Sequence, residues 1–365
     1  MSPWVLYGAT GYTGVLLAEE AAKRGHRPVL AGRSAEKLRA LGERLHLEWK
    51  AVPLDDSAGL RALLDGAGAV LHAAGPFLQT SQPMADACLD AGCSYLDITG
   101  ELPVFEALFA RDMEAKEKGV ALIPGVGFDV VPSDCLAAYV ASKLPGADTL
   151  EIALVASGEP SAGTAKSLVG IVPGGGWVRR DGALIPYPLG KGIHTVRFTH
   201  REAQVMPGPI GDLVTAWHGT KIPNITVCVA IPSGVAKTLS ATWPLGVVGL
   251  PILKALLRSK PIRSRIDAAI DKRTVGPNAE NREGGRSYLY AKASTREGAS
   301  AEAWMEISSG YEFTRHAAIS AVEQILAKRP SGALAPAQAL GADFVLGIPG
   351  TDRRDSLDAA APVPG

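Results

Sequence analysis

Four side chains in the first half of the chain have the types and spacing needed to move a proton. Tyr95-Leu96-Asp97-Ile98-Thr99-Gly100-Glu101 closes an apolar run and brings a phenol and two carboxylates into one short stretch. Asp97 and Glu101 suit polar contacts to a substrate or an acid–base pair that gives or takes a proton. A plainer reading suits the same residues: Thr99 caps the helix that follows and Glu101 favours its first turn. Both readings stand. The fourth residue, Asp129, lies in Pro124-Gly125-Val126-Gly127-Phe128-Asp129-Val130-Val131-Pro132-Ser133-Asp134, a loop richer in glycine and proline than a simple turn needs. Ser133 is placed to cap the helix after it.

A second set of residues is suited to anions. Val5-Leu6-Tyr7 is a strand-type run that passes into Gly8-Ala9-Thr10-Gly11-Tyr12-Thr13-Gly14, and Val15–Ala22 then reads as helix. Strand, glycine turn and helix are the entry to a dinucleotide-binding βαβ unit. One glycine turns the chain, one removes the Cβ that would block a pyrophosphate, and one lets the helix pack closely. The helix N-terminus offers its amides to the phosphates. The second strand, Arg27–Ala31, ends in Gly32-Arg33-Ser34. An acidic residue there would favour NAD by accepting from the ribose hydroxyls; a guanidinium and a hydroxyl instead suit the 2′-phosphate of NADP(H). Small residues and a rigid turn in Ala74-Gly75-Pro76-Phe77 let backbone lie against a flat ring. Gly127 and Phe128 would lie over the nicotinamide.

These groups need a frame. After the second strand, helical spacing at Ala35–Leu47 is followed by a strand at Glu48–Pro53, a helix at Ser57–Leu64 and a strand at Ala69–Ala73. Then come a helix at Gln79–Ala91, a strand at Ser94–Ile98, one long helix at Leu102–Lys118 and a sixth strand at Val120–Ile123. Six strands alternating with helices imply a doubly wound parallel sheet, an α/β fold with ligands beyond the carboxyl ends of its strands. The second half reads as α+β. Strands are expected at Asp148–Ala156, Thr195–Phe198, Ile225–Ile231, Ser287–Lys292 and Glu302–Ile307, with a hairpin tipped by Asp181-Gly182 and a helix or loop at Thr164–Val172. This domain would close on the nicotinamide and pair two copies into a homodimer. Ala317–Lys328 is an apolar-faced helix returning to the first domain, and residues after Pro349 read as a loose tail.

Formal charge is zero, from 37 basic and 37 acidic residues among 365, so there is no basic field to hold nucleic acid. Cysteines 88, 93, 135 and 228 form neither a C-x-x-C pair nor a metal-ligand cluster; no metal is expected, and the thiols suit a reducing cytoplasm. The N-terminus runs straight into the first strand, which leaves no room for a signal peptide. Tyr139-Val140-Ala141-Ser142-Lys143 matches the Tyr-x-x-x-Lys pair of short-chain dehydrogenases, but no serine is suitably spaced and the helix stops at Pro145-Gly146. Trp243–Leu257 is very apolar yet too short to span a bilayer. It reads as a buried or dimer-interface helix, as a wall for a lipid-like substrate, or as a peripheral membrane contact with Lys254, Arg258 and Lys260 near headgroups. Histidines 194, 200 and 218 read as structural.

Taken together, Gly8–Gly14, Ala31-Gly32-Arg33-Ser34, Ala74–Phe77, Tyr95-x-Asp97-x-x-Gly100-Glu101 and Pro124–Asp134 resemble the saccharopine dehydrogenase-like oxidoreductases, in the branch of the trans-acting enoyl reductases. Gly211-Asp212-Leu213-x-Thr215-Ala216, Thr220-x-Ile222-Pro223-Asn224, Gly276-Pro277 with Arg282, and Pro336-Ala337-x-Ala339-Leu340-Gly341 extend the resemblance over nearly the whole chain. It implies an NADP-binding Rossmann domain at 1–132, an α+β substrate or dimerisation domain at 133–316, a C-terminal return at 317–348 and a flexible tail at 349–365. The chain as a whole reads as an NADP(H)-dependent oxidoreductase that passes a hydride to or from a C=C, C=N or C=O bond of a small or lipid/polyketide-like molecule, with a non-catalytic NADP(H) sensor or a lipid-surface scaffold as the alternatives. The resemblance carries over no agreed catalytic residue, and the family name does not make saccharopine the substrate.

Overall fold

Trp4–Tyr7 is wholly buried and forms the first strand, β1, of a seven-stranded sheet in a computed structural model that describes residues 3–157, 175–237, 239 and 284–357. A continuous apolar run is what a strand covered on both faces requires. The unit comprising residues 1–131 and 311–344 continues with α1 (Tyr12–Lys23), β2 (Val29–Gly32), α2 (Ala35–Leu45), β3 (Trp49–Ala51), α3 (Ser57–Leu64), β4 (Ala69–His72), α4 (Phe77–Ala91), β5 (Ser94–Asp97), α5 (Leu102–Phe109), α6 (Asp112–Glu117) and β6 (Ala121–Ile123). After an excursion of nearly 180 residues the chain re-enters at α9 (Gly310–Lys328), β15 (Gly332–Ala333) and α10 (Pro336–Leu340). All strand pairs are parallel, in the order β15-β6-β5-β4-β1-β2-β3. Sequence order reverses between β1 and β4, which opens a ligand crevice beyond their carboxyl ends.

Several expected elements differ. The sheet gains a seventh strand, β15, whose two residues are too few to show alternation. The helix expected over Leu102–Lys118 is two helices, interrupted at Arg111. There the guanidinium reaches sideways to Glu114 (2.8 Å) and to Asp86. The return helix α9 begins at Gly310, seven residues before the apolar periodicity that announces it.

The second unit, residues 132–310 and 345–365, is built on a mixed nine-stranded sheet. Its elements are α7 (Val131–Lys143), β7 (Thr149–Val155), β8 (Gly176–Arg180), β9 (Ala183–Tyr187), β10 (His194–Arg197), β11 (Glu202–Pro207), α8 (Asp212–Thr220), β12 (Asn224–Ala230), β13 (Arg286–Ser294), β14 (Ser300–Ser308) and β16 (Asp352–Arg354). After the exposed Arg286, β13 alternates buried and half-buried residues, the period-2 pattern of a sheet with one solvated face. β8 and β9 form the expected hairpin, and Asp181 and Gly182 at its tip both have positive φ. β11 is a strand that the sequence does not announce: only Val205 and Pro207 of it are buried. Because α7 starts at Val131, Ser133 lies inside the helix instead of capping it. Where a loose tail is expected, β16 pairs with β14. Thr164–Val172, Trp243–Leu257, Gly276-Pro277 and Arg282 lie outside the described residues. Among the described residues no helix is long and apolar enough to cross a membrane.

Candidate functional site

At the end of β1 the three glycines do separate work. Gly8 has φ +84°, and a Cβ on it would stand 2.7 Å from Ala74 N, so the turn lies directly against the segment leaving β4. A Cβ on Gly14 would stand 2.1 Å from Gly8 O, so α1 is seated on the turn by backbone contact. Gly11 is different: its added Cβ would meet only Gly8 O, at 3.4 Å, and the residue is exposed. The turn is held from behind, where the Gly8 and Ala9 amides donate to Ala31 O (2.8 and 3.2 Å). The first-turn amides of α1 have no intrahelical acceptor and point outward beside Gly11. This is a cradle of the shape a pyrophosphate fills.

The loops after β4, β5 and β6 are tied together by two buried carboxylates. Asp97 is sealed from solvent. Its Oδ2 accepts from the Tyr95 hydroxyl (2.6 Å), and its Oδ1 accepts from the amides of Thr99 (3.0 Å) and Gly125 (2.8 Å). Burial pushes the Asp97 carboxyl up to about 6 against these stabilising bonds, and it pushes the Tyr95 phenol well above its ordinary value. Glu101 is 4% exposed; its two oxygens accept from the amides of Phe77 (3.2 Å) and Leu78 (2.8 Å), the first two residues of α4. It therefore caps a helix 24 residues upstream, a use that neither local reading contains. Asp129 packs on Gly100, where a Cβ would come within 3.1 Å of it. Desolvation by the surrounding protein and, secondarily, the Glu101 charge push its carboxyl up to about 6, although the residue as a whole is exposed. Asp129 is thus the one carboxyl of the four candidates with both a raised proton affinity and access to a ligand.

Under this crevice His72 is fully buried, in ring contact with Tyr7, Phe77 and Tyr95. Burial pushes its imidazole down to about 3. Thr80 donates its hydroxyl to Ala74 O (2.6 Å), so His72 Nε2, 3.1 Å from that hydroxyl, must carry the ring proton. Phe77 is thereby turned inward, while Gly75 and Pro76, joined by a cis bond, and Leu78 face solvent.

Residues 4–123 match the family described as the saccharopine dehydrogenase NADP binding domain. That stretch is therefore similar to the NADP-binding domain of the saccharopine dehydrogenases. Trans-acting enoyl reductases of Mycobacterium tuberculosis and Mycobacterium ulcerans are 39% and 36% identical to this chain over 145 and 143 residues. Each alignment covers 36% of this chain and 33% of the relative, so the matched stretch spans about a third of those relatives. The fold extends further: saccharopine dehydrogenase (L-Glu forming) from Saccharomyces cerevisiae superposes with a TM-score of 0.64 at 11% identity, covering 94% of this chain and 96% of that one.

In this NADP-binding domain Thr10, Tyr12 and Thr13 are half-buried around the cradle, and Ser34 sits at the N-cap position of α2. Arg33 is exposed at the end of β2, free to meet a 2′-phosphate. Charge-assisted bonds to such a group contribute about 1.5–3 kcal/mol. Arg33→Ala is therefore expected to weaken NADPH binding about 10–100-fold and to leave NADH binding nearly unchanged, measured by fluorescence titration of both nucleotides. Equal losses for both would remove Arg33 from the 2′-phosphate.

Asp97 offers a second prediction. Asparagine there keeps one oxygen for the two backbone amides and turns its NH2 towards the Tyr95 oxygen, which can accept. Asp97→Asn should stay within about 1 kcal/mol of wild type at pH 5, while Asp97→Ala strands two buried amides and costs about 3–5 kcal/mol. The folded carboxyl titrates above its unfolded value of about 4. Its stabilising share is therefore complete below pH 4 and lost as pH rises through about 6. Denaturant melts of the asparagine variant should lack that part of the slope.

Two residues of the same compact unit, far downstream of the matched stretch, escape sequence reasoning. Tyr311 meets Tyr12 edge-on with centroids 5.0 Å apart, and Thr314 Oγ1 accepts from the Phe128 amide (2.9 Å). The Tyr-x-x-x-Lys pair serves another purpose. Tyr139 Oη donates to Asp355 (2.9 Å), Lys143 pairs with the same carboxylate, and the Arg353 guanidinium lies 3.4 Å over the Tyr139 ring. Together they moor the segment that carries β16. His194 and His200 pair with Glu151 and Glu306 of the second sheet.

Proposed function

We propose that this chain is an NADP(H)-dependent oxidoreductase that moves a hydride to or from a C=C, C=N or C=O bond of a small or lipid-like molecule, with enoyl reduction as the leading case. The observation that carries the proposal is Asp129: a solvent-open carboxyl with raised proton affinity, at the carboxyl end of a dinucleotide-binding sheet. The name of the mycobacterial relatives, trans-acting enoyl reductase, supports the enoyl reading.

Bound NADP(H) supplies the hydride. The residues that would hold it are the Gly8–Gly14 cradle, Arg33 and Ser34 for the 2′-phosphate, Ala74–Phe77 for the ring system, and Gly127 and Phe128 for the nicotinamide. Asp129 hands a proton to the carbon or heteroatom opposite the one that takes the hydride, and takes one back in the reverse direction. Tyr95, Asp97 and Glu101 act through geometry. Asp97 fixes the β5 and β6 loops against each other, Tyr95 completes its shell, and Glu101 fixes the start of α4 and adds the charge that lifts the Asp129 carboxyl.

The test is NADPH consumption by the purified chain with an enoyl thioester, a cyclic imine and a long-chain ketone. Turnover of one class alone identifies the bond. Tight NADPH binding with no consumption on any of them would leave a dinucleotide-sensing protein.

A further inference from the structure

The chain returns to the nucleotide-binding unit at the first turn of α9, and that turn touches both loops that grip the dinucleotide. Tyr311 packs edge-on against Tyr12, the first residue of α1, beside the phosphate cradle. One helical turn later, Thr314 accepts from the Phe128 amide at 2.9 Å. The fit is close: a Cβ on Gly127 would stand 3.1 Å from Thr314 Cγ2 and 3.2 Å from its Oγ1, so a larger residue would require the threonine to give by a few tenths of an ångström.

The helix bearing these residues has a defined position. Glu20 of α1, 3% exposed, accepts from Arg24 (2.7 Å), Arg315 (3.1 Å) and His316 (2.9 Å). Arg24 also donates to Ser320 (2.9 Å), and His26 pairs with Glu323 at 2.7 Å. Two consecutive helical residues, Arg315 and His316, are thus locked to α1 between Thr314 and the rest of α9. A half-buried ion network gathered on the buried Glu20 carboxylate is specific in geometry even where its net energy is small. It fixes Tyr311 and Thr314 to within the tolerance of α1 itself.

We propose that Tyr311 and Thr314 are positioning residues for the nicotinamide half of NADP(H). Tyr311 holds Tyr12 over the cradle, Thr314 sets the height of the Gly127-Phe128 loop, and together they fix the gap between the loops that receive the two ends of the pyrophosphate–nicotinamide unit. The adenosine end, served by Arg33 and Ser34 at β2, lies outside their reach. Residues some 300 positions downstream would then complete a site whose family match ends at residue 123.

The assignment predicts a split between two ligands. Each contact is of a size that changes affinity about 3–10-fold. Thr314→Val and Tyr311→Ala should raise the Kd for NADPH by that factor and leave the Kd for 2′,5′-ADP, which has only the adenosine end, within twofold. Thr314→Ser and Tyr311→Phe should restore NADPH binding by returning the hydroxyl and the ring. Parallel loss of both ligands would show a general structural role and overturn the proposal; so would NADPH affinity unchanged in both truncating variants. Should Tyr311→Ala fail to fold, the Thr314→Val and Thr314→Ser pair decides alone. Wild-type protein that binds 2′,5′-ADP and NADPH equally well would show that the nicotinamide half makes no contact, which also overturns it.

Discussion

Gly14→Ala is expected to abolish measurable NADPH binding and to lower the melting temperature by about 3–10 °C. The added methyl would stand 2.1 Å from Gly8 O and 2.9 Å from two backbone atoms of Ala9. None of these atoms can yield, because Gly8 is itself pressed on Ala74 and held to Ala31 by its amide. The helix must back away instead, lifting Leu16, Leu17, Ala18 and Ala21 from their packing and withdrawing the first-turn amides from the phosphates. Two charge-assisted bonds lost together would weaken binding more than about 100-fold. Gly11→Ala is the control. Its methyl meets only one atom, at ordinary contact distance, so the melting temperature should not move. The methyl does fill the space left for the pyrophosphate, so NADPH should still be lost. Thermal melts and NADPH titrations on both variants check this pairing. A Gly11→Ala protein that binds NADPH normally would take the pyrophosphate away from this turn.

This contrast also marks what could be read without the structure. The β1 turn was legible because every determinant is local: each glycine answers to atoms within a few residues or to the adjacent strand. The parallel sheet was legible from uninterrupted apolar strands alternating with helices. Glu101 was not. One reading makes it a proton-handling group and the other looks downstream, to the helix it begins, whereas its oxygens reach back to Phe77 and Leu78. For the same reason α4 starts at Phe77, two residues before the expected Gln79: the cap comes from another loop. Tyr311 and Thr314 carry no signal at all, since neither a motif nor a period links them to Tyr12 or Phe128. Raised carboxyl affinities were legible as a possibility of residue type only. Asp97 and Asp129 both rise to about 6, yet one is sealed inside a hydrogen-bond shell and the other opens to solvent. That distinction, on which the proposed role of Asp129 as proton donor rests, belongs to tertiary structure.

Asp129→Asn is expected to lower turnover about 10²–10⁴-fold with NADPH affinity intact, and to make the fold more stable above pH 6. The two effects have one cause. Crowding and the Glu101 charge disfavour the ionised Asp129 carboxyl and hold its titration near 6. As an acid it must be protonated, so reduction should run at its plateau below pH 6 and fall tenfold per pH unit above. As a base in the reverse direction it must be ionised, so oxidation should rise to a plateau above pH 6. For stability, the folded value lies above the unfolded value of about 4. The carboxyl's favourable share is complete below pH 4 and disappears as pH rises through 6. A shift of that size corresponds to about 3 kcal/mol in a sealed site, and solvent access to the exposed side chain reduces it to about 1 kcal/mol. Asparagine, neutral and of the same shape, escapes that cost, so the variant should gain about 1 kcal/mol at pH 8 and nothing at pH 4. Because Asp97 titrates in the same range, a pH–rate profile alone cannot name the donor. Asp97→Asn should keep the inflection near pH 6, and Asp129→Asn should erase it from whatever activity survives. Loss of the inflection in Asp97→Asn alone would move the proton to the buried pair. Loss of stability at pH 8 in Asp129→Asn would show the carboxylate to be a structural partner.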